Sequence, residues 1–225
     1  MTLEPLRLSL LVALSATLVS LPLALLVAWV LERTRWRGRA ALQAVVFLPL
    51  VLPPVVTGYL LLRVLSPRSV LGGWLDSMGL PVAFHFAGAV VAAAVVGFPL
   101  FVMLTARAYQ AVDPRLETVS RSLGRGRFAT FRLVTLPLAW PGIAAGAVLA
   151  FARGLGEFGA TIVLAGHVPG ETETIPLAVH AALARPGGEA QALALCGLSL
   201  LLAVSAVLTY RWGQGRHERR LELDR

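Results

Sequence analysis

The chain has 225 residues, of which 57% are hydrophobic and 14% charged, and its mean hydropathy is +0.76; a soluble domain carries roughly 25% charged residues, so lipid must be its main solvent. The net charge of +8 does not point to nucleic acid, because the charge falls in short arginine clusters between long uncharged runs rather than on one basic face of a polar domain. All 20 basic residues are arginine, which excludes a P-loop lysine, a Schiff-base lysine and a Ser–Lys dyad, and with them ATP hydrolysis at a standard Walker site.

A bilayer core needs roughly 20 helical residues to cross, and five runs of about that length lack Asp, Glu and Arg. The first, Leu8 to Leu31, is longer than the roughly 7–15 residues of a signal-peptide core. With no small-residue cleavage site before Glu32, it is expected to be a retained helix. The second, Ala40 to Leu62, contains Pro49, Pro53 and Pro54. These remove backbone donors and should break or kink the helix, which membranes tolerate where the freed groups face protein or water. A packing kink and a gate are both compatible with such a break. The third run extends from about Val82 to Ala106.

A polar loop, Arg107 to Arg132, follows. Within it the pattern predicts a helix from about Pro114 to Leu123, with Asp113 as cap, Pro114 in the first turn and Gly124 as terminator. Leu116, Val119 and Leu123 recur at spacings of three and four, so one face is apolar and needs a cover. Periodicity leaves open whether that cover is the lipid headgroup layer or a protein.

The fourth run is Leu133 to Ala152, and just beyond it Arg153 and Glu157 stand four apart, where they would pair on one helical face. Ionisable groups near membrane depth are candidates for function. Gly154, Gly156 and Gly159 each cost about 1 kcal/mol in a helix, so this segment is expected to unwind, and an outer-loop position is the alternative. The same glycines match G-x-G-x-x-G, but they follow a membrane run rather than a strand, which rules out a dinucleotide site. The fifth run, Ala190 to Tyr210, holds the one cysteine, Cys196, so neither an intrachain disulfide nor a multi-cysteine metal site is available. His85, His167, His180 and His217 show no metal-ligand spacing, and no metal site is assigned.

Fifteen arginines follow the first, third and fifth runs: Arg33, Arg35, Arg37 and Arg39; Arg107, Arg115, Arg121, Arg125, Arg127 and Arg132; Arg211, Arg216, Arg219, Arg220 and Arg225. Only Arg7, Arg63, Arg68, Arg153 and Arg185 fall on the other side. Arginine-rich loops stay cytoplasmic, so the N-terminus is expected outside and the C-terminus inside. Residues 1–225 read as one transmembrane domain without internal repeats, with 107–132 as its main cytoplasmic loop.

Leu116-Glu117-Thr118-Val119-Ser120-Arg121-Ser122-Leu123-Gly124, nine residues, then Val134-Thr135-Leu136-Pro137 resembles the loop signature of the ABC importer permeases. In that family this loop docks into the ATPase subunit. The family pattern is Glu-Ala-Ala, three residues, Gly, nine residues, Ile, one residue, Leu-Pro. Here Thr118, Val119 and Ser120 stand at the Glu-Ala-Ala positions and Val134 replaces Ile, while Gly124, Leu136 and Pro137 match. Three further segments resemble the molybdate permeases: Leu48 to Val56, Gly156 to Ile162, and Pro169-Gly170-Glu171-Thr172 followed by Thr174-Ile175-Pro176. Pro186-Gly187-Gly188-Glu189 fits the same group.

The resemblance implies an all-α polytopic permease of the type I ABC importer fold, with about five transmembrane helices, in the inner (plasma) membrane. It implies a homodimer with two ATP-binding cassette subunits beneath it and a periplasmic molybdate-binding protein above. ATP and Mg would be bound by the partner ATPase, with no cofactor in this chain and no enzyme activity of its own. Carried over residue by residue, Pro114, Leu116, Glu117, Ser120, Leu123, Gly124 and Pro137 are the candidates for ATPase coupling. Pro53, Pro54, Thr57, Arg153, Glu157, Gly159 and Thr161 are the candidates for the translocation path or gate.

A sulfate or tungstate importer is the nearest alternative, since tetrahedral oxyanions make similar demands. An ion-coupled secondary transporter would show internal repeats and carboxylates within the runs, and neither is present. A membrane enzyme would need a converging nucleophile, acid–base pair or metal cluster, and the sequence shows none.

Overall fold

A computed structural model describes residues 3–34, 36–202 and 204–205. Arg35, His217, the end of the fifth run at Tyr210, and Arg211, Arg216, Arg219, Arg220 and Arg225 lie outside the described residues. Among those described, all regular structure is helical. In chain order the helices are α1 (Glu4–Arg33), α2 (Arg39–Val51), α3 (Pro54–Leu65), α4 (Val70–Ser77), α5 (Phe86–Gln110), α6 (Pro114–Ser122) and α7 (Arg127–Thr130). A π-helical turn (Phe131–Thr135) then leads into α8 (Leu136–Leu155), followed by α9 (Gly159–Leu164), α10 (Ile175–Leu183) and α11 (Glu189–Leu202).

Among the described residues three helices are long and apolar enough to cross a bilayer: α1, α5 and the continuous Arg127–Leu155 segment that carries α7, the π turn and α8. They form the central bundle. Lipid supplies no hydrophobic drive between helices, so close approach of small residues must hold them together. In α1 most of the buried residues are small: Ser9, Ala13, Ala16, Ser20, Ala24 and Ala28, beside Pro5, Val12 and Leu31. Along the α5–α8 seam a Cβ at Gly97 would lie 3.2 Å from Ala150 O, one at Gly146 3.1 Å from the Phe101 ring, and one at Gly142 2.5 Å from Ala108 Cβ. The α5 member of each pair advances from Gly97 through Phe101 to Ala108 while its α8 partner runs back from Ala150 through Gly146 to Gly142, as an antiparallel crossing requires. At one end of the bundle Trp29, Tyr109 and Phe131 meet edge to face, with ring centroids 4.7 to 6.0 Å apart, an arrangement their quadrupoles favour.

The second apolar run is not a straight crossing. α2 and α3 are bent by 118° relative to each other. Leu52 precedes Pro53 and Pro53 precedes Pro54, and both are extended, at ψ 141° and 135°, because a following proline disfavours the helical region. Pro49, by contrast, is carried inside α2, so the break comes from the Pro53-Pro54 pair alone. α3 then turns onto α9. The segment of glycines after the fourth run unwinds only between Gly156 and Phe158 before α9 begins.

Candidate functional site at the two ends of the bundle

At the arginine-rich end, α6 forms as its sequence predicts. Asp113 accepts a hydrogen bond from Arg115 N at 2.8 Å, Pro114 occupies the first turn, and the helix stops at Gly124 with φ +84°. Gly124 N donates to Arg121 O and Arg125 N to Ser120 O, the paired bonds of a Schellman terminus, which needs a residue that tolerates positive φ. Leu116, Val119 and Leu123 are 48%, 58% and 75% exposed, and Phe128 beside them is 77% exposed. The apolar face predicted from spacing therefore points away from the bundle.

The other side of α6 is polar and faces inward. Ser120 is buried and its Oγ lies 3.1 Å from Thr130 Oγ1. Glu117 Oε1 lies 2.9 Å from Arg33 Nη2 at the end of α1 and accepts a hydrogen bond from Thr135 Oγ1 at 2.8 Å. Arg33 Nη2 also donates to Tyr109 O near the end of α5, at 3.0 Å. Gln110 Nε2 donates to Glu32 Oε1 at 2.6 Å, tying the ends of α5 and α1 a second time. A cleft of about 790 Å³ opens between α1 and this loop, with Leu25, Trp29, Arg33, Glu117, Arg127 and Phe131 in its wall. Pro137 stands exposed in the first turn of α8; the hydrogen bond from that segment to α6 is made by Thr135.

At the opposite end, Arg153 Nη1 and Glu157 Oε2 are 2.8 Å apart, and the Glu157 side chain is 2% exposed. Glu157 Oε1 accepts from Ala160 N at 2.8 Å, satisfying one of the free donors at the start of α9. The carboxylate is thus held twice, by its own pair partner and by the next helix. α9 lies backbone to backbone on α3: a Cβ at Gly58 would fall 2.7 Å from Ala160 O, and one at Gly159 would fall 2.8 Å from Pro54 Cβ. Thr161 is buried in this seam's helix, and Thr57 on α3 is buried with its Oγ1 lacking a hydrogen-bond partner among the described residues. Pro53, Pro54, Thr57, Arg153, Glu157, Gly159 and Thr161 are therefore gathered at one end of the molecule.

Residues 20–222 match the family described as the binding-protein-dependent transport system inner membrane component. The chain belongs to this family. Such a permease works with a binding protein and is not itself catalytic. The chain is 50% identical over 206 residues to the molybdenum transport system permease protein ModB of Escherichia coli K12, covering 91% of this chain and 90% of that protein. It is 43% identical over 222 residues to ModB of Haemophilus influenzae, covering 98% and 97%. Among solved structures, a bacterial ABC transporter that imports the acidic polysaccharide alginate matches with TM-score 0.71 at 19% identity, over 96% of this chain and 79% of that one. An amino acid ABC transporter matches with TM-score 0.62 at 17% identity, over 92% and 90%. These two likenesses establish the permease fold.

Some residues at both ends escape a reading by motif. Arg33 counts in the sequence only as one topological charge among many, yet its guanidinium meets α6. Thr130 lies in the nine-residue spacer, and Thr135 is the single residue between Val134 and Leu136; the family signature leaves both positions blank. Gly58 has no signal beyond being a glycine within an apolar run, and only the position of α9 explains it. His85 Nδ1 lies 2.8 Å from Glu171 Oε1 and His167 Nε2 3.1 Å from Glu173 Oε1, pairings between residues whose proximity no spacing rule predicts.

Proposed function

We propose that this chain is the membrane-spanning permease of an ATP-driven importer that passes molybdate from a periplasmic binding protein to the cytoplasm of the cell. The observation that carries the substrate is the 50% identity to a molybdenum transport permease over nine-tenths of both chains. The permease is a homodimer in the inner membrane with the anion path on its two-fold axis, and two ATPase subunits bind ATP and Mg beneath it. The N-terminus is outside, so the end bearing α6 faces the cytoplasm, as the arginine asymmetry supports.

In this mechanism the permease makes and breaks no covalent bond. The exposed Leu116, Val119 and Leu123 face of α6 docks into the ATPase, with Pro114, Asp113 and Gly124 fixing the helix ends. Closure of the ATPase dimer on ATP moves α6, and the bundle passes between outward-open and inward-open arrangements. Each partner shifts that equilibrium only by its differential affinity for the two states. Near the outer face the α2–α3 break, the α3–α9 seam and the Arg153–Glu157 pair line or frame the path. There Arg153 is paired with Glu157, which favours passage of an oxyanion over its capture by that arginine.

The test is uptake of molybdate into proteoliposomes that contain this chain, its candidate ATPase and its binding protein, with ATP present or absent and sulfate as competitor. Uptake that requires ATP and resists sulfate is expected. Uptake abolished by equimolar sulfate would move the assignment to a sulfate importer, and ATP-independent uptake would overturn the ATP-driven mechanism.

A further inference from the structure

We propose that Arg33 and Glu117 form the clamp that ties α6 to the membrane bundle, acting as positioning residues through which movement of α6 reaches α1, α5 and α8. This rests on the function proposed above and adds the part of the chain that receives the motion.

The geometry concentrates four elements on two side chains. One carboxylate oxygen, Glu117 Oε1, takes Arg33 Nη2 at 2.9 Å from α1 and Thr135 Oγ1 at 2.8 Å from the foot of α8. The same Nη2 reaches Tyr109 O on α5 at 3.0 Å. The Arg33 and Glu117 side chains are only 20% and 12% exposed, so the pair is poorly screened, and hydrogen bonds between ionised partners are among the strong ones. Apolar contact would let α6 slide; a guanidinium bonded to a carboxylate and a carbonyl has direction, and displacing α6 pulls on all three helices.

Two details point to a clamp with more than one position. Arg33 Nε is buried without a hydrogen-bond partner among the described residues. A buried donor left unpaired costs about 1–3 kcal/mol, so this arrangement does not use the guanidinium fully, and a rotated α6 can offer it an acceptor. Thr135 is the last residue of a π turn, a helical irregularity that recurs at functional positions. The cleft beside the pair leaves α6 room on that side.

The experiment measures molybdate taken up per ATP hydrolysed, in proteoliposomes holding the assembled transporter, with assembly checked by size exclusion. Arg33→Gln should lower the ratio roughly tenfold, the coupling expected between residues of one ion-pair network. Thr135→Val should lower it about threefold, since one hydrogen bond of the same network is lost. The double exchange Arg33→Glu with Glu117→Arg should recover most of the loss. A wild-type ratio in Arg33→Gln, or a double exchange no better than Arg33→Gln alone, would overturn the clamp. If Arg33→Gln fails to assemble, Arg33→Lys decides, because it keeps the charge but not the planar fork: a lowered ratio supports the clamp and a wild-type ratio removes it. Absence of ATP-driven uptake in the wild-type transporter would instead sink the importer assignment and the clamp with it, whereas wild-type uptake with unaffected variants sinks the clamp alone.

Discussion

An inward-facing ion pair stands at each end of the bundle, Arg33–Glu117 at one and Arg153–Glu157 at the other, and the two are built in opposite ways. Arg153 and Glu157 are four residues apart, and Glu157 also bonds the first turn of α9. Arg33 and Glu117 are far apart in the chain and join α1 to α6, which the Ser120–Thr130 hydroxyl pair ties in turn to α7. A local pair locked by a second hydrogen bond and backed by glycine contacts makes a rigid corner. A long-range pair beside an open cleft makes a joint. Fold stability should therefore be concentrated at the first and transmission at the second, and substitutions at the two ends should separate those properties.

The largest loss of stability is expected from Glu157→Ala. It removes the partner of Arg153 and the acceptor of Ala160 N from a site where the carboxylate is 2% exposed. Arg153 retains access to solvent, so the cost is set by two charge-assisted hydrogen bonds rather than by a fully stranded charge, about 3 kcal/mol. For a chain of this size that corresponds to a fall of roughly 10 °C in Tm, measured on the detergent-solubilised permease. A Tm within a degree or two of wild type would mean that this corner is not rigid.

Next comes Gly58→Val. A Cβ there would meet Ala160 O at 2.7 Å and Ala160 Cα at 2.8 Å, and backbone cannot swing aside as a side chain can. Overpacking of this kind costs about 1–3 kcal/mol, so a fall of roughly 5 °C in Tm is expected. Gly58→Ala should produce a smaller fall by the same assay. Equal Tm values for all three proteins would show that α3 and α9 separate easily, which would make the seam itself the moving part.

How much of this was legible in the sequence follows from the range of the interactions. α6 could be read almost to the residue, because its cap, its first-turn proline, its apolar spacing and its glycine stop are all local signals. The break between α2 and α3 was legible in kind, since prolines mark it, but not in place: Pro49 stays helical, and the turn of 118° depends on where α3 finds α9. The Arg153–Glu157 pair was visible as an i,i+4 spacing. The Arg33–Glu117 pair was not, because nothing within either segment specifies the other, and topology reasoning treats every loop arginine alike. Pro137 shows the complementary failure: a motif names it, while the contact to α6 is made two residues earlier by a threonine that the motif leaves free.

The smallest effect on stability, and the sharpest contrast, is expected from Leu123→Asp. Leu123 is 75% exposed at the end of α6, its side chain turned away from Glu117 and Ser120, so replacing it should shift Tm by less than the equivalent of about 0.5 kcal/mol, as surface substitutions do. The same change puts a charge on the apolar face proposed to dock into the ATPase. Losing an apolar anchor of an interface costs about 2 kcal/mol, and a buried unpaired carboxylate costs further, so affinity for the ATPase should fall by roughly thirtyfold or more. The measurement is copurification of the ATPase with the permease, beside the Tm of the permease alone. Unchanged copurification would place the docking face elsewhere, and a large fall in Tm would mean that Leu123 packs within the fold. Intact stability with lost assembly is the outcome that distinguishes a surface made for a partner from one made for the bundle, and it is the reverse of what Glu157→Ala should do at the other end.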